Sequence, residues 1–221
     1  MLRFFSFFLI LFYFSVSEAR LINNLSLPKI EETCTLWAEE NVKKNITHLV
    51  ILFEGWTMYN EYNVKIAYDM QTKLRKGESL DDLPAFGGRS YLTRFPLVEL
   101  LNSHPHQFEF VVLDENTETS AHSKGLVCLS SWAKIYKKYK KHLSVSIAGH
   151  SCGGSAAADL AHKANDAGIP IHWLVTVDSK DCAHPASHDP LPAVDEFANF
   201  YQRTSGGFFG DLYEKNNILI K

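Results

Sequence analysis

Apolar and polar positions along this chain change period several times, and the changes outline an alternation of strands and helices. His48-Leu-Val-Ile-Leu-Phe53 is a near-continuous apolar run closed by Glu54-Gly55, as expected of a strand covered on both faces. From Tyr62 to Lys76, Val64, Ala67, Tyr68, Gln71 and Leu74 fall near helical spacing and Gly77 supplies a stop. Residues 78 to 106, rich in Pro, Gly and Asp, read as a connecting excursion with a short helical stretch near Leu97 to Leu101. The unit then recurs. Phe108 to Leu113 is a second strand, and a helix from about Lys124 to Lys141 carries Val127, Leu129, Trp132, Ile135 and Tyr136 on its apolar side. Leu143 to Ala148 makes a third strand, Ser155 to Asn165 a helix of small residues, and Ile171 to Val177 a fourth strand. Phe197 to Gln202 and Asn217 to Ile220 are weaker strand candidates. Such alternation predicts an α/β fold, with a mostly parallel central sheet and helices on both faces.

The N-terminus stands outside this pattern. Met1-Leu2-Arg3 carries one positive charge, Phe4 to Val16 is apolar apart from Ser6, Tyr13 and Ser15, and Ser17-Glu18-Ala19 puts small residues where a signal peptidase reads. The expectation is a signal peptide at 1–19 cut after Ala19, with export to a secreted or periplasmic location and a single domain over 20–221. The apolar run is shorter than the ~20 residues of a comfortable membrane span, so an uncleaved anchor is the alternative, with Met1 and not Arg20 as the mature N-terminus.

Composition narrows the choice of partner. The chain has 221 residues, 46% hydrophobic and 21% charged, which excludes a disordered chain. A formal charge of −3 gives no electrostatic reason to expect nucleic acid. The lysines at 134, 137, 138, 140 and 141 read as a solvated helix face near a favourable C-terminal dipole. Cys34, Cys128, Cys152 and Cys182 have no C-x-x-C spacing, so no zinc or other metal site is indicated; in an oxidising compartment they allow two disulfides in three connectivities. Asn24-Leu25-Ser26 and Asn45-Ile46-Thr47 fit glycosylation acceptors, a pattern too short to decide anything.

The chemistry is concentrated where the third strand meets its helix. Gly149-His150-Ser151-Cys152-Gly153 fits G-x-S-x-G directly after one predicted strand and directly before a helix. At such a turn the serine Oγ stands clear at the sheet edge, and the residues two before and two after approach so closely that side chains there would clash. Gly149 and Gly153 meet that requirement. Cys152 adjoins the serine and thiolates are strong nucleophiles, but only Ser151 has glycine at both offsets. Cys152 is therefore expected to be a buried neighbour or half of a disulfide. Asp178 closes the fourth strand, at the tip where open α/β sheets bind ligands.

With its G-H-S-C-G-G turn, the chain resembles the α/β-hydrolase superfamily, in particular the lipase, esterase and thioesterase branch. In topology the likeness runs from about His48 to Lys221; only the turn is specific. The resemblance implies a serine hydrolase acting on an ester or thioester, lipid being a mild preference, through an acyl-Ser151 intermediate and without cofactor. It implies Asp178 as the triad acid, with Asp195 and Asp211 as fallbacks, and Cys152 N–H as one oxyanion donor. The Trp56 N–H after Gly55 is the second donor, or Trp56 is a plain packing aromatic. His150 belongs to the turn and packs beneath it.

The family order ends in a histidine after the last strand, and none follows His188 here. His184 or His188, in the polar loop after Asp178, are the substitutes within the chain; the simpler expectation is that the chain stops short of a loop bearing the base. The rival is a binding or interaction protein that keeps the turn and lacks the base. A Cys152–Cys182 disulfide is expected as well, since both follow adjacent strand ends.

Overall fold

The computed structural model of the chain describes residues 22, 25–54, 107–114, 121–150, 152–177 and 193–200. In order they form α1 (Leu27–Lys43), β1 (His48–Glu54), β2 (Phe108–Asp114), α2 (Ala121–Lys138), β3 (Ser144–His150), α3 (Cys152–Asp166), β4 (Ile171–Val177) and β5 (Val194–Phe200). The signal peptide, the helix at 62–76, the excursion at 78–106 and the strand at 217–220 lie outside the described residues.

All the described strands join one sheet in the order β2-β1-β3-β4-β5, and every pairing is parallel. The α/β architecture expected from the alternation is what the chain adopts. Leu49, Ile51 and Phe53 of β1, Val111 and Leu113 of β2, and Val145 and Ile147 of β3 share one buried cluster with residues of all three described helices. Val50, Leu52, Phe110, Ala148, Val175 and Ala198 lie outside that cluster and are buried as well, so β1 has no solvent face, as parallel sheets require.

The sequence reading passed over α1, although its signals are present. Ser26 takes the N-cap in an extended conformation, Pro28 opens the first turn, and Ile30, Cys34, Trp37, Ala38, Asn41 and Val42 repeat at helical spacing as the buried stripe. Elsewhere the boundaries moved. The helix expected at 124–141 runs from 121 to 138, the third strand continues through Gly149 and His150, and β5 spans 194–200 instead of 197–202. The helix expected from Ser155 starts at Cys152, because Gly153 and Gly154 are packing positions inside it and not breakers before it.

Each described helix ends in the same way. Asn45, Lys140 and Gly168 take left-handed φ values of 58°, 54° and 70°, and N–H groups reach back five residues from Ile46 to Asn41, Lys141 to Tyr136 and Ile169 to Ala164. These are Schellman closures, which satisfy terminal carbonyls and turn the chain toward the next strand. The closure at Lys140 ends α2 at Lys138, three residues before the predicted limit. Lys134, Lys137, Lys138, Lys140 and Lys141 are exposed, the solvated face the pattern suggested. Among the described residues no helix is long and apolar enough to cross a membrane.

Two further ties join α1 to α2. Cys34 and Cys128, both fully buried, form a disulfide with Cα atoms 5.2 Å apart. The Tyr136 hydroxyl donates to the Ile46 carbonyl at 2.7 Å; burial, and next the Glu109 charge, raise the pKa of its phenol well above the ordinary tyrosine value. The disulfide closes a 94-residue separation, for which chain entropy gives roughly 4–5 kcal/mol. Replacing both cysteines by alanine should lower the unfolding free energy by about 3–5 kcal/mol in denaturant titrations. The raised Tyr136 pKa stabilises the fold fully below the unfolded value near ~10, and that contribution fades as pH climbs through it toward the folded value. Tyr136→Phe should accordingly flatten the alkaline loss of stability above pH ~10 while costing about 1–2 kcal/mol at neutral pH.

Candidate nucleophile turn at the C-terminal edge of the sheet

Because all described strands are parallel, Glu54, Asp114, His150, Val177 and Phe200 end on one edge. The chain adds β2 on one side of β1, then β3, β4 and β5 on the other. This reversal falls between β1 and β3, and in open α/β sheets the crevice at such a switch, outside the carboxyl ends, is where ligands bind. The segments that leave the sheet on its two sides begin with Gly55-Trp56 and with Ser151.

β3 stays in register to its end, with Phe53 opposite Gly149 and His150 opposite Val177. α3 begins at Cys152, so a single residue, Ser151, separates strand from helix; it lies outside the described residues. The flanking backbone shows how tight the passage is. A Cβ on Gly149 would overlap the Gly153 carbonyl oxygen, and would lie 2.5 Å from that carbonyl carbon and 2.8 Å from Gly154 Cα. All three are backbone atoms, and no rotamer change can relieve the clash. Behind the turn, Gly153, Gly154, Ser155, Ala156, Ala157, Ala158 and Ala161 are buried, so small side chains bring α3 close against the sheet. Its first-turn N–H groups and positive dipole end face the edge.

Cys152 is buried, at 7% exposure, and disulfide-bonded. A disulfide sulfur offers no thiolate, so Cys152 is half of a disulfide, one of the two roles expected of it, and has no free thiol. Cys182, expected as its partner, lies outside the described residues, as do Ser151, Asp178, His184, His188, Trp56 and Asp211.

Asp195 needs correcting. It sits at the start of β5, where its Oδ2 meets His172 Nδ1 at 2.9 Å. The C-terminal edge is five residues further along the strand, about 16 Å at the usual rise. An acid there cannot orient a base beside Ser151, and pairing with His172 occupies both groups. Of the other described histidines, His142 is exposed and His162 lies within α3, and three more lie at or near the sheet. His48 Nδ1 is 2.8 Å from Thr47 Oγ1 and its ring lies against Phe108, while His122 of α2 faces Asp159 of α3 at 3.6 Å. His150 is partly buried at the end of β3.

Two features had no sequence signal strong enough to find. Buried Thr176 donates its hydroxyl to Asn199 Oδ1 at 2.9 Å, tying β4 to β5 two residues before Asp178. Lys124, in the first turn of α2, is 4% exposed, and burial depresses its pKa below the ordinary lysine value. Both depend on contacts between segments distant in the chain.

No protein-family model matches the chain, and no curated protein matches it by sequence. Solved structures that overlap it include Est1E from Butyrivibrio proteoclasticus, at 16% identity and a TM-score of 0.31, covering 61% of this chain and 42% of that one. An esterase from Pyrobaculum calidifontis overlaps at 12% identity and a TM-score of 0.31, covering 72% and 54%. A hormone-sensitive lipase from a metagenome library does so at 12% and 0.34, covering 70% and 57%. The chain thus spans between two fifths and three fifths of the length of these structures.

The backbone approach at residue 149 makes a sharp contrast with Gly168, whose added Cβ would meet nothing within 4 Å. Gly149→Ala should cost more than about 3 kcal/mol or prevent folding. Gly168→Ala, strained only by its positive φ, should cost about 1 kcal/mol. Paired denaturation curves check both.

Proposed function

We propose that the chain is a secreted serine hydrolase that cleaves a carboxylic ester or thioester through an acyl-Ser151 intermediate. The observation that carries this reading is the one-residue passage from β3 to α3 with no space for a side chain at Gly149. A plain strand-to-helix connection has no need of that proximity. A turn that lifts a serine hydroxyl over the helix N-terminus does.

The chemistry follows from the surroundings. Ser151 Oγ attacks the acyl carbon as a base takes its proton, and the carbonyl oxygen becomes an oxyanion. The Cys152 N–H at the head of α3, with the positive end of the helix dipole, receives that charge; the Trp56 N–H is the second donor. The alcohol or thiol leaves with the proton, and water, deprotonated by the same base, releases the acid and frees Ser151. His150 and Val177 are paired, so Ser151 and Asp178 are the residues that next follow two matched strand ends. This supports Asp178 as the acid that orients the base, with His184 as that base. An apolar acyl group is favoured, lipid among the candidates. Export accords with the N-terminal apolar run and with two disulfide-bonded sites, at Cys34–Cys128 and at Cys152.

A fluorophosphonate probe tests the assignment. The protein should be labelled at pH 7–8, Ser151→Ala should lose all label, and hydrolysis of a p-nitrophenyl ester should fall by about 10³-fold or more. Absence of label on the wild-type protein at every pH from ~6 to ~9 would instead make this a binding protein built on a hydrolase-like turn.

A further inference from the structure

The residue beside the proposed nucleophile is covalently committed. The chain holds four cysteines, Cys34 is bonded to Cys128, and Cys152 is itself disulfide-bonded. Within one chain the only cysteine left for it is Cys182. Cys152 is the first residue of α3, one position past Ser151; Cys182 follows Asp178 by four positions, in the segment between β4 and β5 that also contains His184 and His188. The strands on either side are fixed against each other up to the His150–Val177 pair.

We infer that a Cys152–Cys182 disulfide fastens the acid-bearing segment after β4 to the head of α3, and that Cys182 is a positioning residue for catalysis at Ser151. The inference rests on the hydrolase reading above. The segment 178–193 joins β4 to β5 and leaves the sheet at the same edge as Ser151. A link four residues beyond Asp178 limits how far that carboxylate and the histidine two positions past the link can move from the nucleophile. The first disulfide has a different task. Cys34–Cys128 joins α1 to α2 and includes no residue of the turn or of the segment after β4. One crosslink therefore serves the fold and the other the site, and an oxidising environment becomes a condition for activity as well as for stability.

Peptide mapping under non-reducing conditions comes first, and should yield a Cys152–Cys182 peptide in the full-length protein. Cys152 found as a free thiol, or bonded to any other cysteine, overturns the inference whatever the activity. Fluorophosphonate labelling kinetics then test the role. Cys182→Ser should keep the wild-type far-UV circular dichroism spectrum and cooperative unfolding, yet label Ser151 at least tenfold more slowly. The midpoint on the acid side of its pH–rate profile should move down, because a base that loses its carboxylate partner is less basic. Cys34→Ala/Cys128→Ala should do the reverse, losing stability while labelling at nearly the wild-type rate. In that background dithiothreitol should slow labelling and reoxidation restore it. Should the double variant not fold, the same cycle on Cys182→Ser must show no response to reductant beyond the loss of stability. Wild-type labelling kinetics and pH profile in Cys182→Ser overturn the positioning role. A mapped Cys152–Cys182 peptide in a wild-type protein that takes no label overturns the hydrolase reading, and the catalytic role with it, while leaving the crosslink established.

Discussion

Between Gly149 and the Gly153-Gly154 peptide there is no room for a methyl group, and that contact sets how strand and helix meet. β3 sits inside the sheet with β1 on one side and β4 on the other, so it cannot yield. α3 is pressed against it along a buried flank of glycine and alanine. Two glycines near the start of a helix cost conformational entropy, on the order of 1 kcal/mol each relative to alanine. The sequence bears that cost where a larger residue would force the helix away from the sheet. The result is a helix whose positive end is held at the sheet edge, next to the one residue that links the two elements.

The rest of the described fold supports that edge from behind. Three helices close with left-handed residues at Asn45, Lys140 and Gly168, and each closure redirects the chain into a strand of the same parallel sheet. A lysine at φ 54° is less comfortable than glycine by about 1 kcal/mol, which the six-to-one bond from Lys141 to Tyr136 and the solvated, dipole-favoured charge offset. Tyr136 then fastens this end of α2 to Ile46, and the Cys34–Cys128 disulfide fastens its middle to α1. At the opposite end of α2, Gly125 lies where a Cβ would be 3.0 Å from Leu160 of α3 and 3.1 Å from Leu113 of β2. Small residues thus recur wherever a helix must come near its neighbours, and the approach of α2 to α3 has the same origin as that of α3 to β3.

The fate of particular residues shows where sequence reasoning succeeded. Ile171–Val177 was legible to the residue because β-branched and aromatic residues dominate it and Gly168 and Pro170 before it and Asp178 after it mark its limits. The close approach of β3 to α3 was legible because the glycine at 149 records a steric demand made by the backbone of Gly153 and Gly154. Helix boundaries were less so: Gly153 and Gly154 look like breakers in isolation and prove to be interior positions of α3. α1 was missed although Ser26, Pro28 and a helical stripe announce it; its charged positions, Glu31, Glu32, Glu39 and Glu40 among them, obscured the apolar face. Asp195 shows the limit of reading acids in order along the chain. It follows Asp178 in sequence, yet β5 runs parallel to β4, which carries its first residues to the far edge of the sheet.

By itself, the sequence determined the alternation of elements and the need for glycine at position 149 where β3 meets α3, because each of these is imposed by local periodicity or by crowding within five residues. Tertiary structure decided the strand order, the pairing of Cys34 with Cys128, the tie between Thr176 and Asn199, and the removal of Asp195 from the site. Those facts depend on which segments become neighbours across tens of residues, and a periodic pattern carries no information about its partner. Neighbours in an αβ sheet are chosen by packing of whole faces, so their chemistry becomes readable only once the faces have met.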